Sequence, residues 1–272
     1  MKNESFSRPL NLAESAAVHY DEFFGPMFFE PYAIEITNRI DAAGLSCVLE
    51  LAAGTGRVTR HLRRKLKDST RLIASDISKS MLQEAQRKLG ELNIEWQYID
   101  AQHIGLPSNT VDLVVCCFGY MFVEDKPAAM AEASRVLKPG GSLLFSTWSS
   151  LEENGASYTS VQVAADYLGA PVPASALTAT SMHDEAALKT LMDNAGFTSM
   201  QSEKVNLFSE TASAQEAAAG FVKGSPLYKD LAQRMPQRME EIQSTLETAL
   251  AEKFGAAPMR APISAIITQG WK

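Results

Sequence analysis

Cysteine is scarce in this chain, with three in 272 residues: Cys47, Cys116 and Cys117. An odd number, two of them adjacent, excludes a disulfide framework and offers no zinc spacing. All three fall in apolar runs and are expected as buried free thiols, which suits a reducing compartment. Histidine is nearly as sparse, with His19, His61, His103 and His183, and no grouping of His, Asp and Glu shows ligand spacing, so no metal is expected. Long apolar runs are missing too. The longest, Val111 to Val123, is too short to span a bilayer, and Met1 to Leu10 carries Lys2, Glu4 and Arg8 with no apolar leader segment. Basic charge is not in excess: 25 Lys and Arg stand against 32 Asp and Glu, a net charge of -7, which argues against nucleic acid as a partner. Repeats and low-complexity tracts are also absent. The expectation is a cytoplasmic protein without a membrane anchor, monomeric or homodimeric, with 46% apolar residues and enough length for a large core plus a subdomain.

What is present begins at Val48-Leu-Glu50-Leu-Ala52-Ala-Gly54-Thr55-Gly56-Arg57-Val-Thr59. Cys47 to Leu51 is a short apolar run broken by Glu50, the pattern of a strand buried on both faces. Gly54 and Gly56 let the chain bend and approach a ligand closely, and the N–H groups of the following helix face the same spot. A dinucleotide fingerprint needs a small residue where Thr59 stands. Glu50 would repel a pyrophosphate but suits an ammonium group, so an amino-acid-like cofactor fits better.

An acidic residue, three residues and then Gly-x-Gly resembles motif I of the class I S-adenosylmethionine-dependent methyltransferases. Later segments extend the resemblance. Arg71 to Asp76 reads as a second strand ending in a carboxylate 20 residues beyond Gly56, placed to accept from ribose hydroxyls. Trp96 to Ala101 reads as a third strand, Val111 to Phe118 as a fourth, and Val136-Leu-Lys-Pro139-Gly140-Gly141 before Ser142 to Trp148 as a helix end, a glycine stop and a fifth strand. Phe118 to Asp125 and Arg135 to Gly141 are similar to the branch holding the quinone-biosynthesis enzymes. The resemblance implies S-adenosylmethionine as cofactor and S-adenosylhomocysteine as product. It implies contacts from Tyr20, Glu50, Ala52, Gly54, Thr55, Gly56 and Arg57, with Asp76 at the ribose. Ile77 and Met81 would lie at the adenine face and Asp100 and Ala101 at its amine edge, with Phe118 a further cofactor contact. Asp76 and Asp100 could instead cap following helices.

The fold class expected is α/β, a Rossmann-like sheet of seven mostly parallel strands with an antiparallel last strand beside the fifth. Residues 1–43 read as an N-terminal helical lid, with helices over Glu14 to Phe24 and Pro31 to Ala43, the face Ala33, Ile34, Ile36, Ile40 and Ala43 toward the sheet, and an aromatic cluster between. Residues 44–208 and 262–272 read as the cofactor domain. Leu151 to Leu168 suggests a helix, Gly169 to Ser181 a loop, Asp184 a helix cap, Thr198 to Phe208 a sixth strand and Pro262 to Trp271 a seventh. Residues 209–261 read as a helical insertion, broken at Gly224-Ser-Pro226 and at Pro236.

Transfer from a sulfonium is an in-line displacement, so the protein must hold the acceptor in line and exclude water, and a strong base is optional. His19, Tyr20, His103 and Tyr120 are the candidates for one. Segment position groups Phe24, Phe28, Tyr120, Phe122 and Trp148 as a pocket for a small, hydrophobic or aromatic acceptor. Cys117-Phe118-Gly119-Tyr120 replaces the Asp/Asn-Pro-Pro-Tyr/Phe segment of base-modifying relatives. A non-catalytic cofactor-binding protein and, more remotely, an NAD-dependent oxidoreductase are the competing readings.

Overall fold

The computed structural model describes residues 17–272. Seven strands form its centre: β1 (Cys47–Leu51), β2 (Arg71–Asp76), β3 (Glu95–Tyr98), β4 (Val111–Cys117), β5 (Leu137–Trp148), β6 (Ser199–Thr211) and β7 (Met259–Trp271). They make one sheet in the order β3-β2-β1-β4-β5-β7-β6. Pairs from β3 to β5 are parallel, whereas β7 runs antiparallel to both β5 and β6. This is the expected Rossmann-like arrangement. Val48, Leu49, Val114, Val115, Leu143 and Phe145 are fully buried, because helices cover both faces of the parallel strands.

The helices are a π-helical segment Tyr20–Phe29 running into α1 (Glu30–Asn38), then α2 (Arg57–Lys65), α3 (Lys79–Leu89), α4 (Lys126–Val136), α5 (Gly155–Leu168) and α6 (Glu185–Asn194). Between β6 and β7 lie α7 (Ala214–Gly224), α8 (Pro226–Arg234) and α9 (Met239–Phe254). Short polar side chains start several of them: Ser78 accepts from the Met81 N–H, Asp125 from Ala128, and Asp184 from Ala186 and Ala187. Both strands around the insertion are longer than the sequence suggests, since β6 and β7 stay paired from Ser199↔Trp271 to Thr211↔Met259.

Some expectations need correcting. Glu14 to Ala16 lie outside the described residues, and no break separates two helices: Gly25 and Pro26 sit within π turns, closed by the Glu30 N–H donating to the Gly25 carbonyl. Ile34 is 44% exposed, because α1 turns Tyr32, Ala33, Ile36 and Thr37 inward and leaves Ile34 on its outer side, and Ala43 is exposed, because α1 ends at Asn38. Gly169 to Ser181 contains a 3₁₀ helix over Ala174–Thr180. Pro139-Gly140-Gly141 is part of strand β5, where Val111 and Leu113 pair with Leu137 and Ser142 across an irregularity and Gly140 adopts φ +79°.

Candidate functional site

Strands β1 and β4 are neighbours whose connections leave in opposite directions, the switch point at which open α/β sheets bind ligands beyond their strand ends. The chain leaves β1 through Ala52 at φ 52°, Gly54 at φ 56° and Gly56 at φ 84°, left-handed positions that glycine adopts freely. Gly56 also sits tight against α3: a Cβ there would lie 2.8 Å from Leu89 Cδ1. The turn is tied to β2 by the Ala53 N–H donating to the Ser75 carbonyl (2.8 Å) and the Gly54 N–H donating to Asp76 Oδ2 (2.8 Å).

Asp76 Oδ1 accepts the Ser78 N–H at 2.7 Å. Helix α3 is capped by Ser78, so Asp76 holds the turn rather than capping a helix. A carboxylate has about four acceptor sites, so two backbone donors leave capacity for hydroxyl groups. Burial raises the Asp76 pKa, against the pull of the backbone N–H groups. Glu50 is 2% exposed, and its Oε2 has no hydrogen-bond partner. Burial lifts its carboxyl to about 8, with Thr59 pulling the other way and the Asp76 charge adding to the rise. Two acids with no cation between them, one carrying an orphaned buried oxygen, make a setting that favours a positively charged ligand. Burial also raises the Tyr20 hydroxyl well above its ordinary range, with a further rise from the Asp76 charge.

Asp100 accepts the Gln102 N–H at 2.9 Å and both side-chain contacts of Gln102, and no helix begins there to be capped. Ala101 is half-buried beside it, whereas Ile77, after Asp76, is 56% exposed and Met81 is half-buried. The structure therefore gathers Tyr20, Glu50, the glycine turn, Asp76 and Ile77 along the ends of β1, β2 and β4, with Asp100 at the end of the adjacent β3.

Ion pairs seat the N-terminal segment on this turn. Asp21 Oδ1 accepts from Thr55 Oγ1 (2.6 Å) and Arg57 Nε (3.1 Å), and Oδ2 pairs with Lys88 Nζ (2.8 Å). Glu30 pairs with Arg57 (3.2 Å), with Arg60 and with His61 Nε2 (2.9 Å). Those contacts hold the Glu30 carboxyl down at about 2 despite burial that opposes the shift. Asp21, Glu30 and His61 escaped the sequence analysis, since nothing in the spacing of residue 21 shows that it meets residues 55, 57 and 88.

Aromatic side chains fill the space behind the turn. Phe118, at φ 56°, stacks on Trp148 with centroids 3.9 Å apart, and Tyr32 meets both rings edge-on at 5.4 Å. Phe28 packs on Trp148 (6.0 Å), on Phe24 (5.7 Å) and on Phe221 of α7 (5.9 Å). Phe24, Phe28 and Trp148 thus pack in one cluster, joined by Phe221, which gave no sequence signal beyond being apolar. Phe118 is 5% exposed and spends its ring on Trp148, which leaves little of it for the cofactor. Two assignments fail. Tyr120 is fully buried against Phe145 with its hydroxyl unpartnered, and Phe122 is 64% exposed. Both lie in the 3₁₀ turn Tyr120–Phe122, whose successive side chains point about 120° apart, so no two share a face. His103 is exposed and lines an open depression of 530 Å³ with Gln102 and Glu132, outside the aromatic cluster. His19 stacks on Phe23 at 6.3 Å. Among the described residues no group of three His, Cys, Asp or Glu side chains could hold a metal, and no helix is long and apolar enough to cross a membrane. Cys47 and Cys116 are buried free thiols as expected, while Cys117 is half-buried and receives the Ser146 hydroxyl at 3.2 Å.

A doubly wound sheet with an acid at the end of β2 and a glycine turn after β1 defines a nucleoside-binding α/β protein. Residues 48–141 match the family described as "Methyltransferase domain". The chain is 36% identical over 137 residues to the ubiquinone/menaquinone biosynthesis C-methyltransferase UbiE of Enterobacter sp. (strain 638), an alignment spanning 48% of this chain and 55% of that one. It is 29% identical over 237 residues to the UbiE of Escherichia coli O1:K1 / APEC, covering 81% and 92%. Among solved structures, the YcgJ protein of Bacillus subtilis superposes with a TM-score of 0.59 at 16% identity (88% and 97% covered). Haemonchus contortus phosphoethanolamine N-methyltransferase 2, in complex with phosphomonomethylethanolamine and S-adenosylhomocysteine, does so with 0.60 at 14% (95% and 57%). At such identities the two structures speak for the fold. Residues 48–141 are thus a methyltransferase domain, and the matches support a class I S-adenosylmethionine-dependent methyltransferase that resembles the quinone-biosynthesis enzymes, with S-adenosylmethionine as its cofactor.

Proposed function

We propose that this enzyme methylates a small hydrophobic or aromatic acceptor, and that a ring carbon of a quinol-type molecule is the acceptor class. The observation that carries this is the aromatic cluster of Phe24, Phe28, Phe221 and Trp148, drawn from the lid, the insertion and β5 at the edge of the turn. The relatives named for ubiquinone and menaquinone C-methylation support the same class. Such a wall suits a planar apolar ring and offers nothing to a phosphate.

The cofactor supplies an electrophilic methyl group. Toward it, Asp76 would accept from the ribose hydroxyls, Glu50 would face the positive charge, and Gly54 and Gly56 would allow close backbone approach, with Thr55 and Arg57 shaping the turn. Asp100, Ala101, Ile77 and Met81 would bracket the adenine, and Tyr20 would close over the ribose side. Phe24, the half-buried ring of the cluster, would meet the acceptor, and the buried Phe28, Phe221 and Trp148 behind it would keep water out, which is where positioning lowers the barrier. A phenolic ring must lose its proton to react at carbon. His19 is the candidate that stands on the lid; Tyr20, whose hydroxyl burial keeps protonated, and Tyr120, buried against Phe145, are not proposed for that step.

Incubating the protein with methyl-labelled S-adenosylmethionine and matched panels of hydroquinones, phenols and primary amines tests the reading. Mass spectrometry should place label on a ring carbon of a hydroquinone. Label on nitrogen or oxygen alone would replace this acceptor class.

A further inference from the structure

The latch between lid and turn has two halves, and they differ in what they touch. Glu30 binds only Arg57, Arg60 and His61, on helix α2. Asp21 touches the turn itself: its carboxylate collects Thr55, the residue between the two glycines, Arg57, the first residue of α2, and Lys88, near the end of α3. Its backbone carbonyl accepts a further bond from the Arg57 guanidinium at 2.6 Å. Lid, glycine turn and the helix after Asp76 therefore meet on one side chain, which is 15% exposed. Burial opposes the charge on Asp21, but the bonds from Lys88 and Thr55 outweigh it and keep the carboxyl below its ordinary value. Gly25 lets the segment sit this low, since a Cβ there would run into the Arg57 guanidinium. Tyr20, next in sequence to Asp21, is then held toward Asp76.

We propose that Asp21 is a positioning residue for cofactor retention: by fixing the glycine turn and Tyr20 as one piece, it sets how slowly bound cofactor leaves. The proposal rests on the cofactor site described above. It assigns Asp21 no contact with the reacting atoms, and it separates Asp21 from Glu30, which shares Arg57 but reaches neither Thr55 nor Lys88.

The test is the dissociation rate of S-adenosylhomocysteine, followed by tryptophan fluorescence in stopped flow, for the wild type and for Asp21→Asn, Lys88→Met, the double variant and Glu30→Gln. Asp21→Asn should raise the rate tenfold or more, Lys88→Met by a smaller factor, and the double variant no more than Asp21→Asn alone. Glu30→Gln should stay within twofold even if its thermal midpoint falls. Equal effects from Asp21→Asn and Glu30→Gln would make the network a brace only and overturn the proposal, as would an unchanged rate in Asp21→Asn. If Asp21→Asn does not fold, Lys88→Met against Glu30→Gln decides on the same criterion. A wild type that binds neither cofactor nor product would refute the cofactor site itself, a result distinct from wild-type binding with rates indifferent to residue 21.

Discussion

Phe118 and Trp148 lie face to face, their ring centroids 3.9 Å apart and their planes 13° from parallel, although they end different strands, β4 and β5. The stack bridges the two strand ends beside the switch point, and Tyr32 locks it from α1 by donating to the carbonyls of Val205 (2.8 Å) and Ile263 (3.2 Å). Replacing Phe118 by Ala should cost about 3 to 5 kcal/mol, the usual range for a large aromatic lost from a packed core. Denaturant unfolding followed by fluorescence reads this directly. A loss below about 1 kcal/mol would mean that the ring contributes little to the core.

Asp76 carries a double load. Asp76→Ala removes the acceptor for the Gly54 and Ser78 N–H groups and should weaken cofactor binding by roughly 2 to 3 kcal/mol, typical of a lost charged hydrogen-bond acceptor. Calorimetric titration with S-adenosylmethionine measures it, and unchanged affinity in a folded variant would reject the ribose assignment.

Glu50 should make the enzyme sensitive to pH near neutrality. Its folded pKa, about 8, lies above the ordinary value of 4.5, so the native state holds a proton that the unfolded state has lost between those limits. Stability from this group is complete below the lower limit and declines as pH rises through the upper one, by up to about 1.4 kcal/mol per unit. Cofactor affinity should move the other way, since the ionised carboxylate attracts a cation: it should strengthen up to about pH 8 and then level off. Glu50→Gln should flatten both curves. A wild-type affinity independent of pH between about 6 and 9 would show that cofactor binding leaves the ionisation of residue 50 unchanged.

Arg63 is an unusual cap. It is 6% exposed and donates to the carbonyls of Thr70 (3.0 Å), Asn93 (3.1 Å), Leu66 (3.1 Å) and Lys67, closing the end of α2 onto the following loop. Arg63→Met should cost about 3 kcal/mol by leaving several carbonyls without donors. A thermal melt should show the drop, with cofactor affinity of the folded protein unchanged because the contacts lie at the far end of α2 from Gly56.

The parts of this fold legible in the sequence are those fixed by local chemistry. β1 and β4 are apolar runs, Gly54 and Gly56 mark a turn that needs left-handed backbone, and Asp184 announces a helix start, so each could be read from a few neighbouring residues. Asp76 was legible because the strand ends on it. The latch was not, because Asp21, Thr55 and Lys88 meet only after three elements have packed, and no local pattern encodes that. Tyr120 and Phe122 misled for a related reason: aromatic character shows that a side chain will be used, but a 3₁₀ turn decided which way each one points. The π geometry at Gly25 and Pro26 likewise overrode two residues that ordinarily stop a helix.

The placement of β7 has a consequence for how the molecule is assembled. Strand β6 finds its sheet partner only in β7, along 13 paired residues, yet three helices separate the two in the chain. This edge of the sheet, two strands of seven, is therefore closed from the outside inward: β6 must wait, unpaired, until a later segment slides between it and β5. Closing such long loops before any ladder forms is slow, so the parallel half from β1 to β5, with its shorter crossovers, should be complete while β6 still presents an open edge. During that interval the edge is free to pair with another chain, which makes the last strand as much a guard against misassembly as a part of the core.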